Sequence, residues 1–327
     1  MDIILLILSI ILSIVLISKG SDWLTDSLVP IARKLKTSNI SVGLILVSVV
    51  VSLPEILVAG SAAFAGYTSI SLGVAFGSII CNIGLMTGLS AMIRPLHVTR
   101  NMILRDGIIS IVIPILVFAI SQDGQITRFE GFAMFLLFIP YLTNVFLQEK
   151  TIGKRGQIED KREVTKELDL IDFGFGKLEA GWLSFVAGLI LLLFGTNFFA
   201  GQLISLTTIF SLNPLFVGLT LGAIVPSIPN IVASFKATTK GLTEVAVSET
   251  IGSNVFTLLV TVGIISMISP SVLESQWLTF DIPIMLVMSL LLVFFMMTGR
   301  SISKLEGAIL LGSYLVSLYL QVILFMR

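Results

Sequence analysis

The sequence predicts an all-α membrane protein with ten transmembrane helices, arranged as two inverted five-helix repeats. Three observations support this fold class. Of the 327 residues, 55% are hydrophobic and only 12% are charged, a composition that ordinary soluble domains do not have. Apolar runs of roughly 20 residues, the length that crosses a bilayer, recur along the chain. The two halves also resemble each other in sequence and flank one charged stretch.

Hydropathy predicts the position of each span. The first apolar run lacks the basic segment and the cleavage pattern of a signal peptide, so we interpret it as a transmembrane helix. Prolines interrupt the second and seventh spans. The ten predicted spans cover about residues 3–30, 40–65, 69–93, 102–121, 129–148, 179–208, 214–238, 243–268, 277–298 and 304–326.

Composition excludes several classes of function. The 20 basic residues equal the 20 acidic residues, so net charge gives no reason to expect a nucleic-acid partner. A single cysteine, Cys81, excludes an internal disulfide and a cysteine-based zinc cluster. No HExxH motif, Gly-rich phosphate loop or nucleophile elbow is present, so we expect no enzyme activity and no cofactor. The expected partners are the lipid bilayer and cations, and no protein partner is predicted.

Basic residues predict the orientation of the chain. If the N-terminus lies outside, 17 of the 20 Lys and Arg residues fall in cytoplasmic loops, as the positive-inside rule requires. Both termini are therefore predicted outside a multi-pass protein of the cell membrane. Residues 149–177 become a charged cytoplasmic loop, which separates a first five-helix repeat (1–148) from a second repeat (178–327).

An internal repeat relates the two halves of the chain. Residues 43–84 and 218–259 share 12 identities in 42 positions without a gap, and Pro54 aligns with Pro229. Because each half has an odd number of predicted spans, the second half enters the membrane from the opposite side. Interrupted helices at matching positions of such repeats indicate an ion site near the middle of the membrane.

Polar residues follow helical spacing within these apolar spans, because positions i, i+4 and i+7 share a face. The prolines are expected to free backbone carbonyls about one turn earlier, near Ser48 and Ala223. Together these groups form an all-oxygen set that suits Na⁺, Ca²⁺, Mg²⁺ or Mn²⁺ and not zinc or copper. The polar stripes comprise Ser48, Ser52 and Glu55 on the second span, Ser78 and Asn82 on the third, Ala223, Ser227 and Asn230 on the seventh, and Ser253 and Thr257 on the eighth.

Glu55 is the most informative of these residues. No Lys or Arg lies near its depth in any predicted span, so it has no salt-bridge partner there. A carboxylate inside a membrane span is costly and indicates a functional site, here for an ion or a proton. The serines and asparagines have a simpler alternative interpretation, since such residues also hydrogen-bond neighbouring membrane helices.

Two motifs resemble a known family. SLPE at residues 52–55 and GSIICNIG at residues 77–84, with a degenerate copy in the second half, resemble the alpha-repeats of the sodium/calcium exchanger family within the cation/calcium exchanger superfamily. The resemblance implies a ten-helix antiporter that exchanges Na⁺ and Ca²⁺ by alternating access at central cation sites. The ligands it implies are Glu55, Ser52, Ser78, Asn82, Ser227, Ser253 and the carbonyls of Ser48 and Ala223.

The second repeat departs from the family pattern at two acidic positions. Asn230 stands where the family usually has a glutamate, and Thr257 stands where prokaryotic members often have an aspartate. The site would then hold one formal negative charge, which should weaken the binding of Ca²⁺ more than the binding of Na⁺. Two alternatives therefore stay open: a Na⁺- or H⁺-coupled exchanger of another cation, or a transport-impaired homologue. Glu249, one turn before Ser253, either supplies the missing charge or lies in a solvated vestibule.

The topology can be tested by cysteine labelling. In a background lacking Cys81, Gln122→Cys and Gln157→Cys should react with a membrane-impermeant thiol reagent from opposite sides, because one predicted span separates them. Labelling of both positions from the same side would contradict the arrangement of ten spans.

Overall fold

The computed structural model describes residues 3–34, 49–152 and 181–325, without the side chains of residues 28–34, 145–152 and 271. Nearly all of these residues are helical, as the composition predicts. The helices are α1 (Ile3–Lys34), α2 (Leu53–Phe64), α3 (Thr68–Ile93), α4 (Arg100–Asp123), α5 (Arg128–Ile152), α6 (Trp182–Ile209), α7 (Pro214–Thr239), α8 (Thr243–Ile268), α9 (Trp277–Met297) and α10 (Lys304–Phe325).

Eight helices in the described part of the chain are long and apolar enough to cross a membrane. The shorter α2 has 12 residues, and it begins within the predicted second span. α5 ends at Ile152, past the predicted end at residue 148. Residues 40–48 of the second predicted span, Ser48 included, lie outside the described residues. Most of the predicted charged loop lies outside them as well.

The two proline-containing spans differ from each other in the structure. Helical residues 49–51 are separated from α2 by a turn at Ser52, and Pro54 lies in the first turn of α2. Proline fits there because the first turn of a helix needs no backbone donor. The predicted interruption of the seventh span at Pro229 is wrong, since the α-helical part of α7 runs from Ala223 to Thr239 through Pro229. The irregular turn lies earlier in α7, at Gly218–Gly222.

Wider π-helical turns interrupt several helices. They occur at Asn82–Thr87 in α3, Ile103–Gly107 in α4, Gly218–Gly222 in α7, Thr257–Thr261 in α8 and Trp277–Asp281 in α9. Such turns often mark functional sites, because the extra residue redirects side chains and leaves backbone groups less regularly paired. The turns in α3 and α8 begin at Asn82 and Thr257, which are equivalent positions in the alignment of the two sequence repeats.

Two short antiparallel strand pairs join the loops at the helix ends. β1 (Leu96–His97) pairs with β4 (Ser301–Ile302), and β2 (Gln125–Ile126) pairs with β3 (Ser271–Val272). In the sequence alignment that pairs Pro54 with Pro229, the residues of β1 align with β3, and those of β2 align next to β4. The pair formed by β1 and β4 is therefore equivalent to the pair formed by β3 and β2. The sequence repeat thus has a counterpart in the tertiary structure.

Glycines bring α1 and α6 into close contact. A Cβ added at Gly20 would lie 2.7 Å from the backbone nitrogen of Leu192, and one at Gly188 would lie 2.7 Å from that of Leu24. Only the absence of a side chain permits backbones to approach this closely, as in membrane helix pairs with small residues at the interface. α1 and α6 therefore pack along much of their length with little room for substitution.

This packing predicts a contrast between two glycines of α6. Gly188→Ala should lower the melting temperature of the purified protein, because overpacking typically costs about 1–3 kcal/mol. Gly201→Ala is the matched control, since an added Cβ at Gly201 has no neighbour within 4 Å. Thermal unfolding in detergent measures both variants. Equal melting temperatures for the two would contradict the proposed close contact.

Candidate cation site

The candidate site is centred on the carboxylate of Glu55, which is fully buried. Glu55 occupies the first turn of α2, so it lies at the positive end of the helix dipole. This placement follows from the sequence SLPE: the turn at Ser52 and the proline at Pro54 start the helix immediately before the acid. A broken helix thus places a charged side chain inside the apolar bundle with partial compensation from the backbone.

Three side chains from the second half hydrogen-bond the Glu55 carboxylate. Ser227 Oγ donates to Oε1 at 2.7 Å, and Asn230 Nδ2 donates to the same oxygen at 3.1 Å. Thr257 Oγ1 donates to Oε2 at 2.9 Å. The carboxylate is therefore solvated by donors of α7 and α8, which belong to the opposite half of the chain. Hydrogen bonds to an ionised acceptor are stronger than those between neutral groups.

Ser253 forms a second centre beside Glu55. Three donors lie within hydrogen-bonding distance of its hydroxyl oxygen, Ser52 Oγ at 3.1 Å, Asn230 Nδ2 at 3.0 Å and Asn82 Nδ2 at 3.3 Å, and the oxygen can accept from two of them at a time. Asn230 therefore bridges the two centres. Residues from α3, α7, α8 and the turn before α2 converge within hydrogen-bonding distance of each other.

Several buried oxygens at the site have no hydrogen-bond partner. They are Ser78 Oγ, Asn82 Oδ1 and Asn230 Oδ1. A buried polar atom without a partner costs about 1–3 kcal/mol and calls for an explanation. Oxygens with free lone pairs around a carboxylate are the ligand type that hard cations prefer. Within the described residues no three His, Cys, Asp or Glu side chains come together, so a site for a softer metal has no support there.

Close helix packing places α3 against α7. A Cβ at Gly77 would lie 2.7 Å from the Cβ of Ala223 and 2.7 Å from the carbonyl oxygen of Leu219. Gly77 therefore permits the adjacent Ser78 to lie beside α7. Ala223 is fully buried directly after the π-helical turn of that helix.

Most of the residues singled out from the sequence come together. Fully buried in the structure are Ser52, Glu55, Ser78, Asn82, Ala223, Ser227, Asn230, Ser253 and Thr257. Ser48 is outside the described residues. Glu249 is only 7% exposed, which does not fit an open, solvated vestibule, but it does not take part in the hydrogen bonds to Glu55 described above.

Asn254 also belongs to this cluster, although it was not predicted from the sequence. Its Oδ1 accepts from Asn82 Nδ2 at 3.4 Å, and the residue is largely buried. The available signal was its position directly after Ser253, in the repeat of the GSIICNIG motif. Its counterpart in the first half is Ile79, so the repeat by itself does not indicate a polar residue there.

Comparison with known proteins identifies the family of this chain. A family model described as sodium/calcium exchanger protein matches residues 5–147 and 180–323. The chain belongs to the sodium/calcium exchanger family. The resemblance seen in the two motifs is thereby confirmed, and this family member is a multi-pass membrane protein of an ion antiporter family. The family consists of transporters, not enzymes.

Alignments with individual relatives cover almost the whole of this chain. The sodium/calcium exchanger MaX1 of Methanosarcina acetivorans is 28% identical and the putative antiporter CaxA of Alkalimonas amylolytica is 30% identical. Each alignment covers 95% of this chain and 97% of the relative. A structure of the sodium-calcium exchanger NCX_Mj, soaked with Na⁺ in the absence of Ca²⁺, matches with a TM-score of 0.68 at 26% identity. That match covers 97% of this chain and 99% of NCX_Mj.

Proposed function

We propose that this protein exchanges Na⁺ for Ca²⁺ by alternating access, with the cations bound around Glu55. One observation carries the proposal: a fully buried carboxylate surrounded by hydroxyl and amide groups of both halves, with unpartnered oxygens beside it. Membership of the sodium/calcium exchanger family supports the choice of ions.

The proposed ligands are the oxygens already assembled at the site. Hydroxyl groups that donate to Glu55 can rotate and present lone pairs to a cation instead. Asn82 Oδ1, Asn230 Oδ1 and Ser78 Oγ need no such change, because they have no partner to release. The remaining proposed ligands are Ser52, Ser227, Ser253, Thr257 and the carbonyls of Ser48 and Ala223, with Glu249 as a weaker candidate.

Charge determines how the two ions compete. One carboxylate neutralises a single Na⁺, whereas a Ca²⁺ ion at the same place keeps one uncompensated positive charge. Ca²⁺ affinity depends on the number of charged ligands, so we expect weak Ca²⁺ binding and a relative preference for Na⁺. The neutral contacts of Asn230 and Thr257 with Glu55 also favour a second candidate, Na⁺- or H⁺-coupled exchange of another cation.

The proposed architecture consists of ten transmembrane helices in two inverted repeats, residues 1–148 and 178–327. The equivalence of the two strand pairs in the alignment of the repeats supports it, as do the equivalent positions of the π-helical turns in α3 and α8. Inverted repeats give a carrier two pseudo-equivalent states that open to opposite sides. In this proposal α1 and α6, which pack on each other, slide together across the helices of the site.

The proposed location is the cell membrane, with both termini outside. The distribution of Lys and Arg supports this orientation, in which residues 149–177 form a cytoplasmic loop.

The role of Glu55 is tested by Glu55→Gln. The variant keeps the shape of the side chain and removes its charge, so Na⁺-dependent Ca²⁺ uptake into proteoliposomes should fall at least tenfold, a loss of about 1.4 kcal/mol of cation stabilisation. Glu244→Gln is the matched control, because Glu244 is exposed at the start of α8. Uptake at the wild-type rate by correctly folded Glu55→Gln would refute the proposed site.

The missing second charge is tested by Asn230→Glu. Because Asn230 Nδ2 lies 3.1 Å from Glu55 Oε1, a carboxylate there adds a negative charge beside the first. Ca²⁺ binding should strengthen more than Na⁺ binding, and it should become more sensitive to pH, since protons compete for a coupled carboxylate pair.

Asn230→Gln provides the control of equal size without the charge, and calorimetry with Ca²⁺ and Na⁺ measures all three proteins. Tight Ca²⁺ binding by the wild type, unchanged in Asn230→Glu, would show that Asn230 is not a ligand. Glu249 would then be the better source of the second charge. Exchange of Na⁺ or H⁺ for K⁺ or Mn²⁺, with no Ca²⁺ flux, would support the second candidate function.

A further inference from the structure

A second buried carboxylate lies in α9, apart from the site around Glu55. Asp281 is fully buried at the end of the π-helical turn Trp277–Asp281. Gln321 of α10 is 2% exposed, and its Nε2 donates to Asp281 Oδ1 over a long distance of 3.4 Å. The other oxygen of each side chain, Asp281 Oδ2 and Gln321 Oε1, is buried without a partner. Two hydrogen-bond acceptors are thus left unsatisfied in one side-chain pair.

The repeat provides a direct comparison for this position. Asp106 is the equivalent residue of the first half and is also buried, but it forms a bidentate ion pair with Arg105, at 2.5 Å from Nε and 2.8 Å from the guanidinium NH₂ group. The residue that corresponds to Arg105 is Phe280. The second half therefore has the acid but carries an aromatic ring in place of its cation, and a buried charge without a partner is strongly destabilising.

Within the described residues no ion pair to Asp281 replaces that cation. Glu274, in the loop before α9, is itself an acid and offers no positive charge. Arg105 and Asp106 lie toward the other end of α9, because a Cβ at Gly107 would touch Val293. Lys304 and Glu306, the charged residues of α10, lie at its start, and Glu306 accepts from Thr298 at that same far end.

The helix α3, which contacts α9 through an edge-on packing of Phe76 on Trp277, contains no charged residue between Thr68 and Ile93. In the described part of the chain, Asp281 is therefore a buried acid without an ion-pair partner. An ionised carboxylate is the unfavourable form in such surroundings.

We propose that Asp281 holds a proton on Oδ2 and forms a cyclic acid–amide pair with Gln321. In this pair Oδ2–H donates to Gln321 Oε1, while Gln321 Nε2–H donates to Asp281 Oδ1. One proton thereby satisfies both unpartnered acceptors and removes the buried charge. A metal ion fits less well, because one carboxylate and one amide oxygen fall short of the six or more oxygens that Ca²⁺ requires.

The proton links the contact between α9 and α10 to pH. In this proposal the folded protein keeps a proton on Asp281 at pH values at which the exposed aspartic acid of the unfolded chain has already lost it. Stability must then fall as pH rises, because the folded state binds more protons than the unfolded state. The largest slope for one proton is a tenfold change in the unfolding equilibrium per pH unit.

Thermal unfolding of the full-length protein in detergent, at a series of pH values, tests the proposal. Asp281→Asn mimics the protonated acid, since its amide nitrogen can donate to Gln321 Oε1. This variant should keep the low-pH melting temperature of the wild type and lose the decrease caused by Asp281 at higher pH. Asp106→Asn is the control: it leaves Arg105 without its acid, so it should lower the melting temperature and leave the pH-dependent decrease in place.

The result that overturns the proposal is an Asp281→Asn variant with the full pH dependence of the wild type, or an Asp106→Asn variant that abolishes it. Infrared spectra supply a second measurement on the wild type. A protonated carboxyl band at neutral pH should shift in Gln321→Leu, because the hydrogen bond to the acid is lost. Spectra in which Gln321→Leu changes only carboxylate bands would show that Asp281 is ionised. Both readouts are independent of the ions transported, so the proposal does not depend on the exchange function.

Discussion

A carboxylate inside an apolar helix bundle is the constraint on which the rest of this structure depends. Glu55 is fully buried and forms no ion pair with the described residues, so protein dipoles must take the place of its hydration shell. They come from the start of α2 and from donors on α7 and α8. Because these donors belong to the opposite half of the chain, the two halves can satisfy the acid only when they pack together. The packing of the two halves is therefore required both for the fold and for the site.

Backbone irregularity is what makes this assembly possible. Regular helices satisfy their own hydrogen bonds and present side chains at fixed intervals, which leaves little freedom to aim several of them at one point. The turn at Ser52 and the π-helical turns that begin at Asn82 and Thr257 change that spacing at the site itself. Glycines such as Gly77 then let the helix backbones approach closely enough for short side chains to meet.

The two halves differ in charge or charge pairing at two pairs of equivalent positions. Glu55 corresponds to Asn230, and the ion-paired Asp106 corresponds to Asp281, which contacts an amide. In both pairs the second half lacks a formal charge or its counter-charge while the helices and strand pairs keep their arrangement. The helices that carry these residues stay in place, but the interaction energies between charges in a low-dielectric interior differ strongly between the two positions of each pair. Equivalent positions of the sequence repeat thus carry different charges or charge partners.

The sequence by itself determined the helical membrane class, the positions of most helices, the alignment of the two repeats and the family, because hydrophobicity, helical periodicity and the motifs around Glu55 and Asn82 are local properties. It also indicated most residues that meet at the site. Only the tertiary structure decided that α7 continues through Pro229, that Asn254 reaches Asn82, that Glu249 is buried and that Asp281 contacts Gln321. These features depend on how distant helices pack, and a proline or an acid has the same local sequence whether or not a partner lies across from it.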